Sequence, residues 1–193
     1  MSDPEPVVLV VEDQKDLAET YYLWLRDDYS VTVAGDGDEA LEKLDEDVDV
    51  VLLDRMMPGL SGREVLEEIQ DRGIDCRVAM VTAVDPDFDI LEMGFDAYLS
   101  KPVMRDQLTQ TVEKLLERRA YDALLQEYYS LVEKAATLQA SKNQSELEAS
   151  EEYSDLLERI EQHHEELSET LGGIEDDDDF IAAIRELSDV ERN

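Results

Sequence analysis

The chain has 193 residues, enough for one well-cored domain and a smaller companion at the usual ~100 to 200 residues per domain. Its 51 acids against 17 bases leave a net charge of −34, which repels nucleic-acid phosphates and anionic membranes alike and suits a protein kept soluble in strong brine. One cysteine, Cys76, excludes an internal disulfide, and the start MSDPEPVVLVVED has neither a basic leader region nor an apolar run of membrane-spanning length, so a soluble protein of a halophilic cytoplasm is expected.

From residue 7 to residue 104, short continuous apolar runs alternate with amphipathic segments, the pattern of a parallel sheet covered by helices on both faces. Strands are expected at 7–11, 31–34, 48–53, 78–82 and 97–99, with helices at 14–27, 38–44, 62–70 and 88–93. Ser61 and Glu64 form a capping box at the start of the third helix. A doubly wound domain of this kind places its ligand site beyond the carboxyl ends of the strands. Glu12 and Asp13 follow the first strand, Asp54 ends the third, Thr82 ends the fourth and Lys101 follows the fifth, so the five can converge on one crevice. The Lys101-Pro102 bond can be cis where a tight turn aims a side chain.

Between residues 103 and 140 there is no glycine or proline, and a long helix or two in succession is expected. Leu108, Val112 and Leu115 make a first apolar stripe suited to the sheet. A second stripe, Tyr121, Leu124, Tyr128, Leu131, Ala135 and Leu138, alternates by three and four as a coiled-coil seam does. About 100° per residue over the nine steps from Leu115 to Leu124 puts the stripes on different faces, unless the helix bends near residues 118–121. SKNQS at 141–145 reads as a turn, with Asn143 left-handed and a capping box of Ser145 and Glu148. A further seam, Tyr153, Leu157, Ile160, His164, Leu167 and Leu171, completes an antiparallel hairpin whose seams pack on each other, on a second copy, or both. GGIEDDDD at 172–179 reads as a linker, and Phe180, Ile181, Ile184 and Leu187 as a short final helix capped by Asp179.

Three carboxylates in one crevice resist joint ionisation without a cation. Mg²⁺, which favours hard oxygen ligands and water, resolves this: Asp13 and Asp54 as ligands, Glu12 directly or through a metal-bound water, and a backbone carbonyl near Met56. A lysine and a threonine hydroxyl facing the metal offer a phosphoryl group a positive charge and a donor, which makes Asp54 a nucleophile able to form an aspartyl phosphate.

Glu12-Asp13, Asp54 in DRMMPGLSG, Thr82-Ala83, Tyr98 and Lys101-Pro102 together resemble the receiver domain of two-component response regulators, of the CheY-like kind, over about residues 5–120. That resemblance implies a five-stranded, doubly wound α/β domain, flavodoxin-like with strand order 2-1-3-4-5, ahead of an all-α antiparallel hairpin. It implies phosphotransfer from a sensor histidine kinase onto Asp54, Mg²⁺ at Glu12, Asp13, Asp54 and the Met56 carbonyl, phosphate contacts from Thr82 and Lys101, and a switch in which Thr82 moves and Tyr98 turns inward. Glu12 stands where many members carry aspartate. YDALLQEYYSLVEKAATL at 121–138 resembles the HalX domain, a helical output region attached to receivers in halophilic archaea.

The expected organisation is a receiver at 1–120, a HalX-like hairpin at 121–171, and an acidic linker with a terminal helix at 172–193. The expected function is a phosphorylation-controlled switch that catalyses only its own phosphotransfer and dephosphorylation. Its expected partners are the kinase, a second copy through the receiver face or hairpin, and an output protein, with no membrane. A DNA-binding transcriptional regulator is the rival, although no basic recognition helix is visible after Ser145. A phosphate-independent dimerisation module is another. The Glu161 and His164 pair reads as seam packing rather than metal binding, Tyr21, Tyr22, Tyr128 and Tyr129 as core and seam, and 176–179 as solvated linker.

Overall fold

The computed structural model describes residues 5–84, 90 and 93–170. The helix expected at 88–93 falls almost wholly outside these residues, as do Leu171, the 172–179 linker, the terminal helix and its acids at 176–179. Strands β1 (Val7–Val11), β2 (Ser30–Ala34), β3 (Val50–Leu53), β4 (Arg77–Thr82) and β5 (Ala97–Ser100) form one parallel sheet in the expected order β2-β1-β3-β4-β5. Helices α1 (Lys15–Leu25), α2 (Gly37–Lys43) and α3 (Gly62–Arg72) lie between the strands, and α4 (Arg105–Ser141) follows β5. Val48, expected to begin β3, precedes the strand but is buried all the same.

Alternation along the strands divides the core in two. Leu9, Val11, Val51, Leu53 and Met80 pack with Val65, Leu66 and Ile69 of α3 on one face. On the other, Val8, Val10, Val50, Leu52 and Val81 meet Tyr21 and Leu25 of α1 and the predicted stripe Leu108, Val112 and Leu115 of α4. Burying each such aliphatic side chain stabilises the fold by about 1.5–3 kcal/mol. Because both faces are covered, β3 is buried at all four positions, and only its end can offer a polar group to a ligand. Cys76 is a half-buried neighbour of the first core cluster, and burial pushes its thiol up to about 11.

The chain divides into two compact units between Arg119 and Ala120, and α4 passes through that division as one unbroken helix, with no second helix starting near 118–121. In the second unit, α5 (Gln144–Glu148) and α6 (Glu151–Thr170) follow. Gln139 donates to the Tyr153 hydroxyl at 2.7 Å, Arg159 to Glu127 at 3.0 Å, and Tyr128 faces His164 at 6.1 Å, a descending register that makes α6 antiparallel to the end of α4. Ala135, Leu147 and Tyr153 form its small core, with Leu156 and Ile160 against it.

The structure corrects five expectations here. Asn143 is extended (φ −83°, ψ 160°), not left-handed, because it is itself an N-cap: its side chain accepts from Glu146 N, and Glu146 returns a bond to Asn143 N. The capping box is therefore Asn143 with Glu146, and Ser145 lies inside α5. Ser150 accepts from Tyr153 N at the start of α6, where Leu156, three residues after Tyr153, packs inward and Leu157, placed on the seam, is 44% exposed. Leu138, placed on the first seam, is 36% exposed. Tyr22 and Tyr129 are exposed while Tyr21 and Tyr128 are buried: each pair is split about 100° around its helix, and only the first of each faces the packed side.

Candidate functional site

The carboxyl ends of β1, β3, β4 and β5 deliver the site. Asp54 N donates to Val11 O at 3.0 Å and Glu12 N to Ala34 O at 3.0 Å, so the main-chain ladder continues one residue past each strand and fixes where both acids begin. The turn after Asp54 is moulded to it. A Cβ on Gly62 would lie 2.0 Å from the Asp54 carbonyl oxygen, so only glycine lets the start of α3 come this close, and Gly59 carries the turn at φ +79°. Ser61 then caps α3 in the capping box expected of it with Glu64. An apolar strand thus holds the acid, and the turn behind it leaves one side open.

Glu12, Asp54 and Thr82 are the buried polar residues among those described, exposed by 2%, 5% and 0%. Lys101 joins two of them: its Nζ lies 2.6 Å from Glu12 Oε2 and 2.6 Å from Asp54 Oδ2. The other Asp54 oxygen, Oδ1, accepts from Met56 N at 3.1 Å, and Glu12 Oε1 accepts from Gln14 N at 3.3 Å. Lys101 is held at the end of β5 by its main chain, whose N donates to Thr82 O at 2.8 Å; the Lys101-Pro102 bond is cis, as the sequence allowed.

Burial pushes the Glu12 carboxyl above its ordinary range, with the Lys101 ammonium opposing and the Asp54 charge adding. For Lys101 burial acts downward, but the hydrogen bonds and charges of Asp54 and Glu12 override it and hold the proton more tightly. Tyr21 lies within electrostatic reach of the same groups: burial raises its phenol, and the Glu12 and Asp54 charges add to that while Lys101 opposes. The sequence reading had Tyr21 as plain core, and the carboxylates' reach to it has no signal in the local pattern.

Carboxylate oxygens of Glu12, Asp13 and Asp54 lie within 4.8 Å of one another, the one such grouping among the described residues. His164 packs toward Tyr128, as expected of a seam residue. Three carboxylates and one ammonium sum to −3 + 1 = −2, and the donors are hard oxygens, so the set fits a divalent cation such as Mg²⁺. Met56 is 64% exposed and meets Asp54 through its backbone N–H.

Thr82 and Tyr98 meet through Val84. The Thr82 hydroxyl accepts from Val84 N at 3.3 Å, and the Tyr98 hydroxyl donates to Val84 O at 2.6 Å. The Tyr98 ring stands 5.6 Å from that of Phe95 and packs on the first core cluster. Glu12, Asp13, Asp54 and Lys101 therefore gather at the carboxyl end of the sheet beside Thr82, and Tyr98 joins them through Val84. The direct Lys101 bridge between Glu12 and Asp54, and the close approach of Gly62, are what sequence reasoning missed.

This sheet order with acids, lysine and threonine at its carboxyl end defines a receiver, and the chain belongs to the response regulator receiver domain family, whose pattern matches residues 8–113. The HalX domain pattern matches residues 117–184. A Haloferax volcanii protein provisionally named a transcriptional regulator is 52% identical over 158 residues, 81% of this chain and 27% of that protein. The alkaline phosphatase synthesis transcriptional regulatory protein PhoP of Bacillus subtilis is 35% identical over 116 residues, covering 58% of this chain and 48% of its own length. The chain thus spans from about a quarter to half the length of these curated relatives. Among solved structures, the response regulator TrrA of Thermotoga maritima, in complex with Mg²⁺ and BeF, is similar at 32% identity and a TM-score of 0.51, over 57% of this chain and 99% of that one. The first unit is the receiver domain of a two-component response regulator. No helix among the described residues is long and apolar enough to cross a membrane.

Proposed function

We propose that Asp54 accepts a phosphoryl group from a sensor histidine kinase and that this modification switches the helical region after the receiver. The observation that carries the reading is the Asp54 carboxylate: buried, fixed at a strand end, paired by Oδ2 with Lys101, and grouped with Glu12 and Asp13. One Asp54 oxygen forms the new P–O bond as the P–N bond of a phosphohistidine breaks, and the released imidazole takes a proton from solvent. Lys101, held by two carboxylates before transfer, is placed to follow the charge onto the phosphoryl oxygens. Glu12, Asp13, Asp54 and the Met56 carbonyl would hold Mg²⁺, which supplies charge neutralisation to the incoming group when bound.

Thr82 gives the switch its lever. Its hydroxyl accepts a hydrogen bond from Val84 N, so turning it toward a phosphoryl oxygen removes that contact from the backbone whose carbonyl holds Tyr98. Phosphorylation would then bias an equilibrium between two arrangements of Thr82, Val84 and Tyr98. The chemistry is confined to the chain's own phosphorylation and dephosphorylation, and no outside substrate is assigned. A second copy, through the receiver or the hairpin, and a separate output protein are the partners this reading admits, inside a cell of high salt, where charge repulsion of −34 is screened.

Direct DNA contact is the weaker reading for this stretch of chain. Within residues 120–170 there are 13 acids against Lys134, Lys142 and Arg159, so no helix there offers a basic face to phosphates. The test of the main reading is intact mass in high KCl with Mg²⁺ and acetyl phosphate. One phosphoryl adduct on the wild type, lost without Mg²⁺ and lost in Asp54→Asn, is expected; an equal adduct on Asp54→Asn would sink the assignment.

A further inference from the structure

Arg119 is the last residue of the receiver unit and already lies within the span matched by the HalX pattern. One helical turn beyond Leu115, the last buried residue of the sheet-facing stripe, its guanidinium turns under the amino-terminal edge of the sheet. One Nη pairs with Asp49 Oδ1, and Nε donates to the Asp75 main-chain carbonyl at 3.0 Å. Asp49 is engaged on every side: Oδ2 accepts from Val7 N at 2.7 Å, its N donates to Val7 O at 3.0 Å, and its carbonyl accepts from Arg77 N at 2.9 Å. The starts of β1, β3 and β4 therefore meet at one ion pair, whose side chains are 28% and 19% exposed.

We propose that Arg119 is a positioning residue through which a change at the Asp54 end of the receiver passes along α4 into the helical region. The inference rests on the phosphoacceptor reading above. Helix α4 starts four residues after Lys101, which touches Asp54, and continues without interruption to Ser141. Between these ends Val103, Leu108, Val112 and Leu115 hold it by apolar contact, which is non-directional and tolerates small sliding movements. A forked guanidinium bound to a carboxylate and a carbonyl fixes one register and one rotation. With that latch closed, Arg119 is a fixed pivot, so a displacement at the Lys101 end tilts the helix about it and emerges beyond Arg119 as a change of direction; with it open, the helix has no fixed point on the sheet and the displacement is taken up by sliding. Nothing in this role touches the phosphoryl group, since the latch is at the opposite edge of the sheet from Asp54.

The experiment uses the full chain in high KCl and Mg²⁺, with and without acetyl phosphate, as wild type, Arg119→Gln, Arg119→Lys and Asp49→Asn. Intact mass reports the adduct, and hydrogen exchange of peptides from 120–141 reports the response of the helical region. Wild type should show the adduct and a change in exchange of at least about threefold. Arg119→Gln should form the adduct to the same extent with no phosphorylation-dependent change in 120–141, Arg119→Lys should keep part of the change, and Asp49→Asn, which retains an acceptor for Val7, should behave as Arg119→Gln. A full wild-type response in Arg119→Gln or Asp49→Asn overturns the proposal and leaves Arg119 as a stability contact only. An adduct on wild type with no change in 120–141 also overturns it, whereas absence of any wild-type adduct overturns the phosphoacceptor reading beneath it.

Discussion

The two units handle polar groups in opposite ways. The receiver buries Glu12, Asp54 and Thr82 and encloses Lys101, each with named partners, while the helical unit buries Tyr128, Leu131, Ala135 and Leu167 and its acids between 120 and 168 lie at the surface. A buried charge is costly unless it is paired, so its presence identifies a place where something other than stability is maintained. An exposed acid carries no such message. Among the described residues, buried charge is therefore concentrated in the first unit, and the described part of the second is built of packing and caps.

The strongest challenge to this contrast is to remove the cation from the buried cluster. Lys101→Met keeps the volume but leaves Glu12 and Asp54 without their shared partner, and should destabilise the metal-free chain by about 3–5 kcal/mol in urea unfolding. Mg²⁺ should then raise the midpoint more than in the wild type, and an unaltered midpoint without metal would mean that the cluster is not strained by its own charge. Gly62→Ala comes next. Its methyl group meets the Asp54 carbonyl, so a loss of about 1–3 kcal/mol is expected together with slower adduct formation at Asp54.

A cap in the second unit should matter less: Asn143→Ala costs about 1 kcal/mol and leaves adduct formation unchanged. A further effect is confined to high pH and absent under ordinary conditions. The Cys76 thiol ionises at 9.0 in an unfolded chain and is pushed up to about 11 by burial, so the unfolded state loses its proton first and stability falls as pH rises between the two values, then levels. Tyr21 and Tyr29, both raised from 10.0 chiefly by burial, act in the same direction at the upper end. Cys76→Ala should flatten the lower part of that decline, which thermal melts from pH 8 to 11 would show.

The receiver was legible because its two signals are local and redundant. Continuous apolar runs mark strands covered on both faces, and the acids, Thr82 and Lys101 sit directly at their ends, so knowing the strands locates the site. What was not legible depends on separation along the chain. Lys101 meets Asp54 across 47 residues and Arg119 meets Asp49 across 70, and no periodicity encodes either pairing. In the helical unit the seam was legible at Tyr153, Ile160, His164 and Leu167, and one place on it was not: steps of three and four from Tyr153 both lie near the inner face, and Leu156 rather than Leu157 takes the packed position. Asn143 shows the same ambiguity, because a residue that suits a left-handed turn suits an N-cap equally, and the tie is broken by Glu146 three positions on.

The central claim is that the buried carboxylate of Asp54 is the phosphoacceptor, and borohydride trapping tests it most directly. After incubation with acetyl phosphate and Mg²⁺, reduction of an aspartyl phosphate leaves homoserine at the modified position, which peptide mass spectrometry reads residue by residue. Conversion at Asp54 alone, abolished when Mg²⁺ is chelated, is the predicted result. Conversion at Asp13 or at an exposed acid instead, with Asp54 intact, would contradict the account.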